Sequence, residues 1–167
     1  MNNKGFTLIE LLATISLLAI LMLIAVPNVV GVVNKNKNKT YVEDAKKLVS
    51  LAEYKIRLNS NYKPSRGQVY CFYMKFLGTE DFESAPNGGC YDENYSYVKV
   101  SFSGGKLVYN VQTAEREKCD KDNRGNYTSG FKGGILETDS DNLYGNDATK
   151  KVRSSGFNTL QGCSETF

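Results

Sequence analysis

Residues 6–34 read FTLIELLATISLLAILMLIAVPNVVGVVN, and from Leu11 to Asn34 no side chain carries a charge. As a helix, these roughly 24 residues extend about 36 Å at ~1.5 Å per residue, against a bilayer hydrocarbon core of about 30 Å. By length and composition the segment can span. A cleavable secretory signal needs a shorter apolar region ending in small residues at the cut. The best such site here, Ala25-Val26-Pro27, would put a proline in the cleavage position. Pro27 has no N–H to donate and crowds the carbonyl four residues earlier, so the helix is expected to kink or loosen between Leu23 and Gly31.

Working back toward the N-terminus, the apolar run is preceded by Lys4-Gly5-Phe6-Thr7-Leu8-Ile9-Glu10. A carboxylate at the mouth of such a helix costs about 2.5–3.5 kcal/mol if carried to the bilayer centre, so it calls for a partner. Thr7-x-x-Glu10 also fits a capping box, and an acid in the first turn complements the helix dipole. The stretch resembles the processing motif of type IV pilins and their pseudopilin relatives, and the resemblance runs from Lys4 to about Gly31, including Pro27. It implies that a membrane peptidase removes the leader 1–5 by cutting after Gly5, and that the new terminal Phe6 is N-methylated. Glu10 occupies the family's acidic position. Its carboxylate would lie about 6 Å along the helix from the new amine. In a stagger of identical helices it could pair with a neighbour's amine, neutralising the charge and setting the register. The family also implies that the helix around Pro27 can lose structure as subunits pack.

Working forward, Asn34-Lys35-Asn36-Lys37-Asn38-Lys39 ends the apolar segment. Three lysines follow the span and one precedes it, so the positive-inside rule alone would place the following region in the cytoplasm. The resemblance places that region outside, and the cysteine pattern suits an exported head. From Tyr41 through Val42, Ala45, Leu48, Val49, Ala52 and Ile56, spacings of three and four make one apolar stripe, with Glu43, Lys46, Lys47, Glu53, Lys55 and Arg57 on other faces. One helix is expected from about Phe6 to Leu58, with a membrane half over 6–33 and an amphipathic half over 34–58.

The remainder, 59–167, is polar and rich in Tyr and Gly, and long enough for one modest core. Asn59 to Gly67 reads as a helix exit and loop. Strands are expected over 69–76, 95–102 and 106–111, the last two joined by a tight turn at Ser103-Gly104-Gly105. Residues 78–94 read as loops, 131–137 as a strand or a hairpin around Gly133-Gly134, and 155–167 as an edge. The order predicts an α+β fold in which the long N-terminal helix packs on an antiparallel β-sheet head, which is also the head fold the resemblance implies. Cys71, Cys90, Cys119 and Cys163 are widely spaced and contain no CxxC, which favours two disulfides over a zinc site. Pairing Cys71–Cys90 and Cys119–Cys163 is preferred to the two other connectivities, because each bridge would close a stretch poor in regular structure.

The absence of histidine excludes Ser-His-Asp and Cys-His catalysis and His metal sites. No glycine pair leads into Lys-Ser/Thr and a helix, so there is no phosphate loop. A net charge of +3, with lysines interleaved among Asp, Glu and Asn, gives no argument for nucleic acid. Asp120-Lys121-Asp122-Asn123-Arg124-Gly125 begins like a calcium loop but has Arg at the fifth position and Phe131 at the twelfth, where oxygen ligands are required. That stretch and Asp139, Asp141 and Asp147 read as solvated loops, so neither a metal nor a cofactor is expected. The 11 tyrosines, all beyond the apolar segment, could form a binding surface, but alternation makes them core and strand residues.

The expected function is structural and not enzymatic: a major or minor subunit of a type IV pilus-type filament, held in the cytoplasmic membrane as a single-pass precursor with its head outside. The partners implied are other pilin subunits, the prepilin peptidase and methyltransferase, the assembly platform and, before assembly, the lipid bilayer. A pseudopilin of a secretion or DNA-uptake machine, or a minor pilin with an adhesive head, are the alternatives.

Overall fold

The structure is a computed structural model that describes residues 6–80, 82 and 84–167, with the side chains of 25–28 outside the description. Two compact units divide the chain, Met1–Asn36 and Lys37–Phe167. Helix α1 covers Leu8–Leu58. Within the second unit the expected stripe is buried: Tyr41, Val42, Ala45, Leu48, Val49, Ala52 and Ile56 are each at most 8% exposed. They share one apolar cluster with Tyr70, Phe72, Val98, Val100, Val111 and Ile135 of the sheet. This burial supplies most of the helix's stability, since propensity alone rarely holds a helix in water.

After a 3-10 turn at Ser60–Tyr62, six strands follow: β1 (Val69–Tyr73), β2 (Cys90–Tyr91), β3 (Tyr97–Ser103), β4 (Lys106–Arg116), β5 (Phe131–Asp139) and β6 (Glu165–Thr166). β4 is the hub, pairing antiparallel with β2, β3 and β5. Asn110 and Val111 face residues of both β3 and β5, so those two strands hold opposite edges of β4. β1 adds antiparallel to β3, with Phe72 opposite Val98 and Val98 opposite Val111, which carries the apolar row across three strands. The Ser103–Lys106 turn has Gly104 at φ 58° and Gly105 at φ 82°, the left-handed pair a two-residue hairpin requires.

The architecture is α+β, as expected, and several elements differ from the sequence reading. The strand expected over 69–76 ends at Tyr73, and Met74–Leu77 forms a short helix, α2, whose Met74 and Leu77 are buried. β4 runs to Arg116, five residues beyond the expected end. Cys90–Tyr91, expected as loop, is strand β2. Gly133-Gly134 is not a hairpin turn but part of a continuous strand. A Cβ on Gly133 would overlap the Tyr41 hydroxyl, and one on Gly134 would overlap the Thr113 carbonyl. These glycines therefore mark close approach, the other reason for glycine in a strand. The edge in 155–167 is only Glu165–Thr166, and it pairs parallel with β1 instead of antiparallel.

The disulfide connectivity is a correction. Cys71 joins Cys163 and Cys90 joins Cys119, replacing the expected Cys71–Cys90 and Cys119–Cys163. The cause is the sheet. Ser164 donates to the Val69 carbonyl and Phe167 to the Cys71 carbonyl, which lays the 163–167 segment along β1 and brings Cys163 beside Cys71. Cys90 stands opposite Arg116 on β4, three residues before Cys119. Pairing by loop composition missed both contacts because each is made by strand register.

Candidate functional site

Phe6 and Thr7 precede the first turn of α1 and are exposed. The Thr7 backbone N–H and hydroxyl each donate to Glu10 Oε2 at 2.8 Å, and the Glu10 N–H reaches back to Thr7 Oγ1 at 3.4 Å. This is the capping box, formed reciprocally. Both bonds to the carboxylate fall on one oxygen; among the described residues no donor reaches Oε1. From Leu11 to Ile24 the only polar side chains are Thr14 and Ser16, whose hydroxyls donate back to the Leu11 and Leu12 carbonyls, so no polar face forms. Leu11, Leu12, Ile15, Leu17, Leu18, Ile20 and Leu21 are each more than half exposed, and at about 100° per residue they point in every direction about the axis. A helix without a polar face has to be covered by lipid or by other apolar helices. No single described helix passes as long and apolar enough to cross a membrane; Leu8–Ile24 and Val29–Leu58 pass as a bent pair, by length and composition. Gly5, the expected cleavage position, lies outside the described residues. Pro27 lies within α1, with its side chain outside the description.

A second constellation holds the amphipathic half of α1 in the head. Glu115 on β4 is fully buried and has no cationic partner among the described residues; its carboxylate instead accepts from the Tyr41 hydroxyl, from the Asn87 N–H at 3.1 Å and side-chain amide at 3.2 Å, and from the Gly89 N–H at 3.0 Å. The Tyr91 hydroxyl donates to Asp44 at 2.5 Å, a second tie between α1 and the sheet. Burial, then the Glu115 bond and charge, pushes the Tyr41 phenol well above its ordinary range. Tyr91 is raised by burial and by Asp44, and Tyr97 by burial and by its bond to Glu137. Burial also raises the Asp44 carboxyl, against the Tyr91 bond that favours its charged form. Asp92 and Arg116 form a buried ion pair at 2.7 Å, with the guanidinium 3.7 Å above the Phe131 ring. These groups are satisfied by one another, and Tyr41, Tyr91, Asp92, Tyr97 and Glu115 among them are buried, which makes them locks of the fold. The sequence reading missed them; polar residues inside β4, Gln112 to Arg116, were the available signal. Among the described residues no group of three or more Cys, Asp or Glu side chains is gathered to hold a metal ion, and one carboxylate oxygen of Asp122 accepts from the Arg124 and Asn126 N–H groups of its own loop.

The described helix is apolar, is opened by an acid, and is followed along the chain by an α+β unit. Residues 1–26 match the family described as the prokaryotic N-terminal methylation motif, the hallmark of type IV pilin and pseudopilin precursors. That motif is one carried by precursors that a prepilin peptidase processes and that assemble with other pilin subunits. No curated protein and no solved structure matches the chain.

Proposed function

We propose that the chain is a structural subunit of a type IV pilus-type filament, cut after Gly5, methylated on Phe6, and assembled through 6–33 with the head outside. The observation that carries this reading is the methylation motif leading into a helix with no polar face. Such a helix has two environments that hide it, the bilayer before assembly and a bundle of its own copies after it. Glu10 supports the second. Its capped carboxylate keeps Oε1 for a further donor, and the amine created at Phe6 of a neighbouring copy is a donor of the right charge. Pro27 gives the helix a soft point that closer packing can use. The test is to purify surface filaments, determine the terminus by mass spectrometry and label the filaments with antibody to the head. A methylated Phe6 terminus on labelled filaments is expected. A Met1 terminus, or a cut near Pro27, would overturn the assignment.

A further inference from the structure

Lys35, Lys37 and Lys39 follow Val33 within six residues, separated only by asparagines. Lys35 and Lys39 are exposed and Lys37 is half-buried. Among the described residues none of the three forms an ion pair, and no acid occurs between Glu10 and Glu43. The next two acids are engaged, Glu43 with Lys46 at 2.9 Å and Asp44 with the Tyr91 hydroxyl at 2.5 Å. The tract therefore presents three uncompensated charges directly beside an apolar run of membrane length. They also stand on the side that the positive-inside rule disfavours, so orientation does not account for them. From these observations we infer that the Lys35–Lys39 collar binds anionic phospholipid headgroups of the outer leaflet while the precursor waits in the membrane. The inference rests on the membrane-held precursor proposed above.

The geometry needs only covalent adjacency. On a helix the three lysines lie within about 9 Å of the end of the apolar run, the depth of one headgroup layer. Their side chains can bury their stems and keep the ammonium at the phosphate plane. Lys35 and Lys39 are a turn apart on one face while Lys37 lies on another, so the collar surrounds the helix and engages several lipids. Asn34, Asn36 and Asn38 add neutral amides at the same depth. Because the attraction is electrostatic and at a surface, it is strong at low salt and screened by added salt. Such a contact would hold the collar at the interface without an irreversible bond, so a subunit entering a filament can leave it.

The experiment uses the processed full-length chain in phosphatidylcholine vesicles containing a minority of phosphatidylglycerol. Spin-labelled versions of each lipid report which one is enriched at the protein. Wild type is expected to prefer phosphatidylglycerol by about fivefold or more at low salt, with the preference collapsing at high salt. Replacing the three lysines by Gln (Lys35→Gln, Lys37→Gln, Lys39→Gln) should bring the ratio close to one, and replacing them by Arg should retain it. Equal preference in wild type and the Gln variant, or a preference indifferent to salt, would overturn the collar. So would lysine dependence that appears only in assembled filaments, which would assign the tract to an acidic neighbour. Alkaline carbonate extraction separates the two readings. Wild type that washes out of the vesicles contradicts the membrane-held precursor, whereas wild type that stays but shows no lipid preference contradicts the collar alone.

Discussion

The Tyr41 hydroxyl donates to the carboxylate of Glu115, a fully buried residue 74 positions away in sequence. One bond thus ties the amphipathic half of α1 to the central strand of the sheet. Asn87 and Gly89 converge on the same carboxylate from the loop before β2. Removing the acceptor strands every donor, so Glu115→Ala should destabilise by about 3 kcal/mol or more, while Tyr41→Phe should cost about 1–2 kcal/mol. Gly133→Ala, which drives a methyl into the Tyr41 hydroxyl, should resemble the larger loss. Chemical denaturation of the purified head compares all three, and a silent Glu115→Ala would show that the network does not carry the helix.

Non-reducing peptide mapping should return Cys71 with Cys163 and Cys90 with Cys119. By loop-closure entropy the wider bridge contributes about 4–5 kcal/mol and the narrower about 3–4 kcal/mol. Cys163→Ser should also free the segment that Phe167 anchors against Phe72 and Tyr62, whose rings lie 5.1 and 4.9 Å away. Greater protease sensitivity confined to 153–167 is the expected signature. Peptides linking Cys71 to Cys90 would contradict the register of β1 and β6.

How much of this was legible in sequence follows from the range of the interactions. The apolar run, the capping box, the stripe from Tyr41 to Ile56 and the Gly104-Gly105 turn depend on neighbours within a few positions, and periodicity displays them. β6 is two residues long and pairs with β1 some 90 positions earlier, and no local pattern in Glu165-Thr166 announces it. The Cys71–Cys163 bridge depends on that strand, and Cys90–Cys119 on the equally short β2 beside β4, so the expected pairing failed with both. Gly133-Gly134 was ambiguous for the same reason. Glycine signals either a turn or a close approach, and only Tyr41 and Thr113, both distant in sequence, decide between them.

The raised tyrosines set an alkaline limit. Tyr41, Tyr91 and Tyr97 ionise near pH 10.0 when unfolded and well above it when folded, because burial and neighbouring carboxylates oppose the phenolate. The unfolded chain therefore loses these protons first. Stability is unaffected by them below about pH 10 and falls as pH rises past it. Asp44 acts in the same sense at low pH, since its raised carboxyl favours the folded state as pH drops toward 3.8, and Asp44→Asn should remove that slope. Absorbance titration should find a tyrosine fraction that ionises only together with unfolding. Smooth titration of every tyrosine near pH 10 in a folded head would refute the buried hydroxyl bonds.

Capping and assembly can be separated at the helix entrance. Thr7→Ala removes the hydroxyl that donates to Glu10 and costs the helix start about 1 kcal/mol, yet leaves the carboxylate for a neighbour. Glu10→Ala removes both functions. Both variants should reach the membrane at wild-type levels, the second without a charge to carry in. Filament yield should fall modestly for Thr7→Ala and by an order of magnitude or more for Glu10→Ala. Equal, mild losses would leave capping as the whole role of Glu10.

The head should fold without the first unit. The stripe from Tyr41 to Ile56 has its partner in the same unit, because Tyr41, Leu48 and Ala52 share a cluster with Phe72, Val98 and Val111. Both disulfides and the Glu115 network also close within Lys37–Phe167. By contrast, among the described residues the helix from Leu8 to Val33 has no buried large apolar residue, so it carries unmet apolar surface. A chain beginning at Lys37 should therefore be soluble and monomeric, with the circular dichroism of one helix on a sheet and cooperative unfolding. It should not polymerise, because the surface that drives association has been removed. Sedimentation and electron microscopy decide the matter. Filaments grown from this shortened chain would move the assembly surface from the helix entrance to the head.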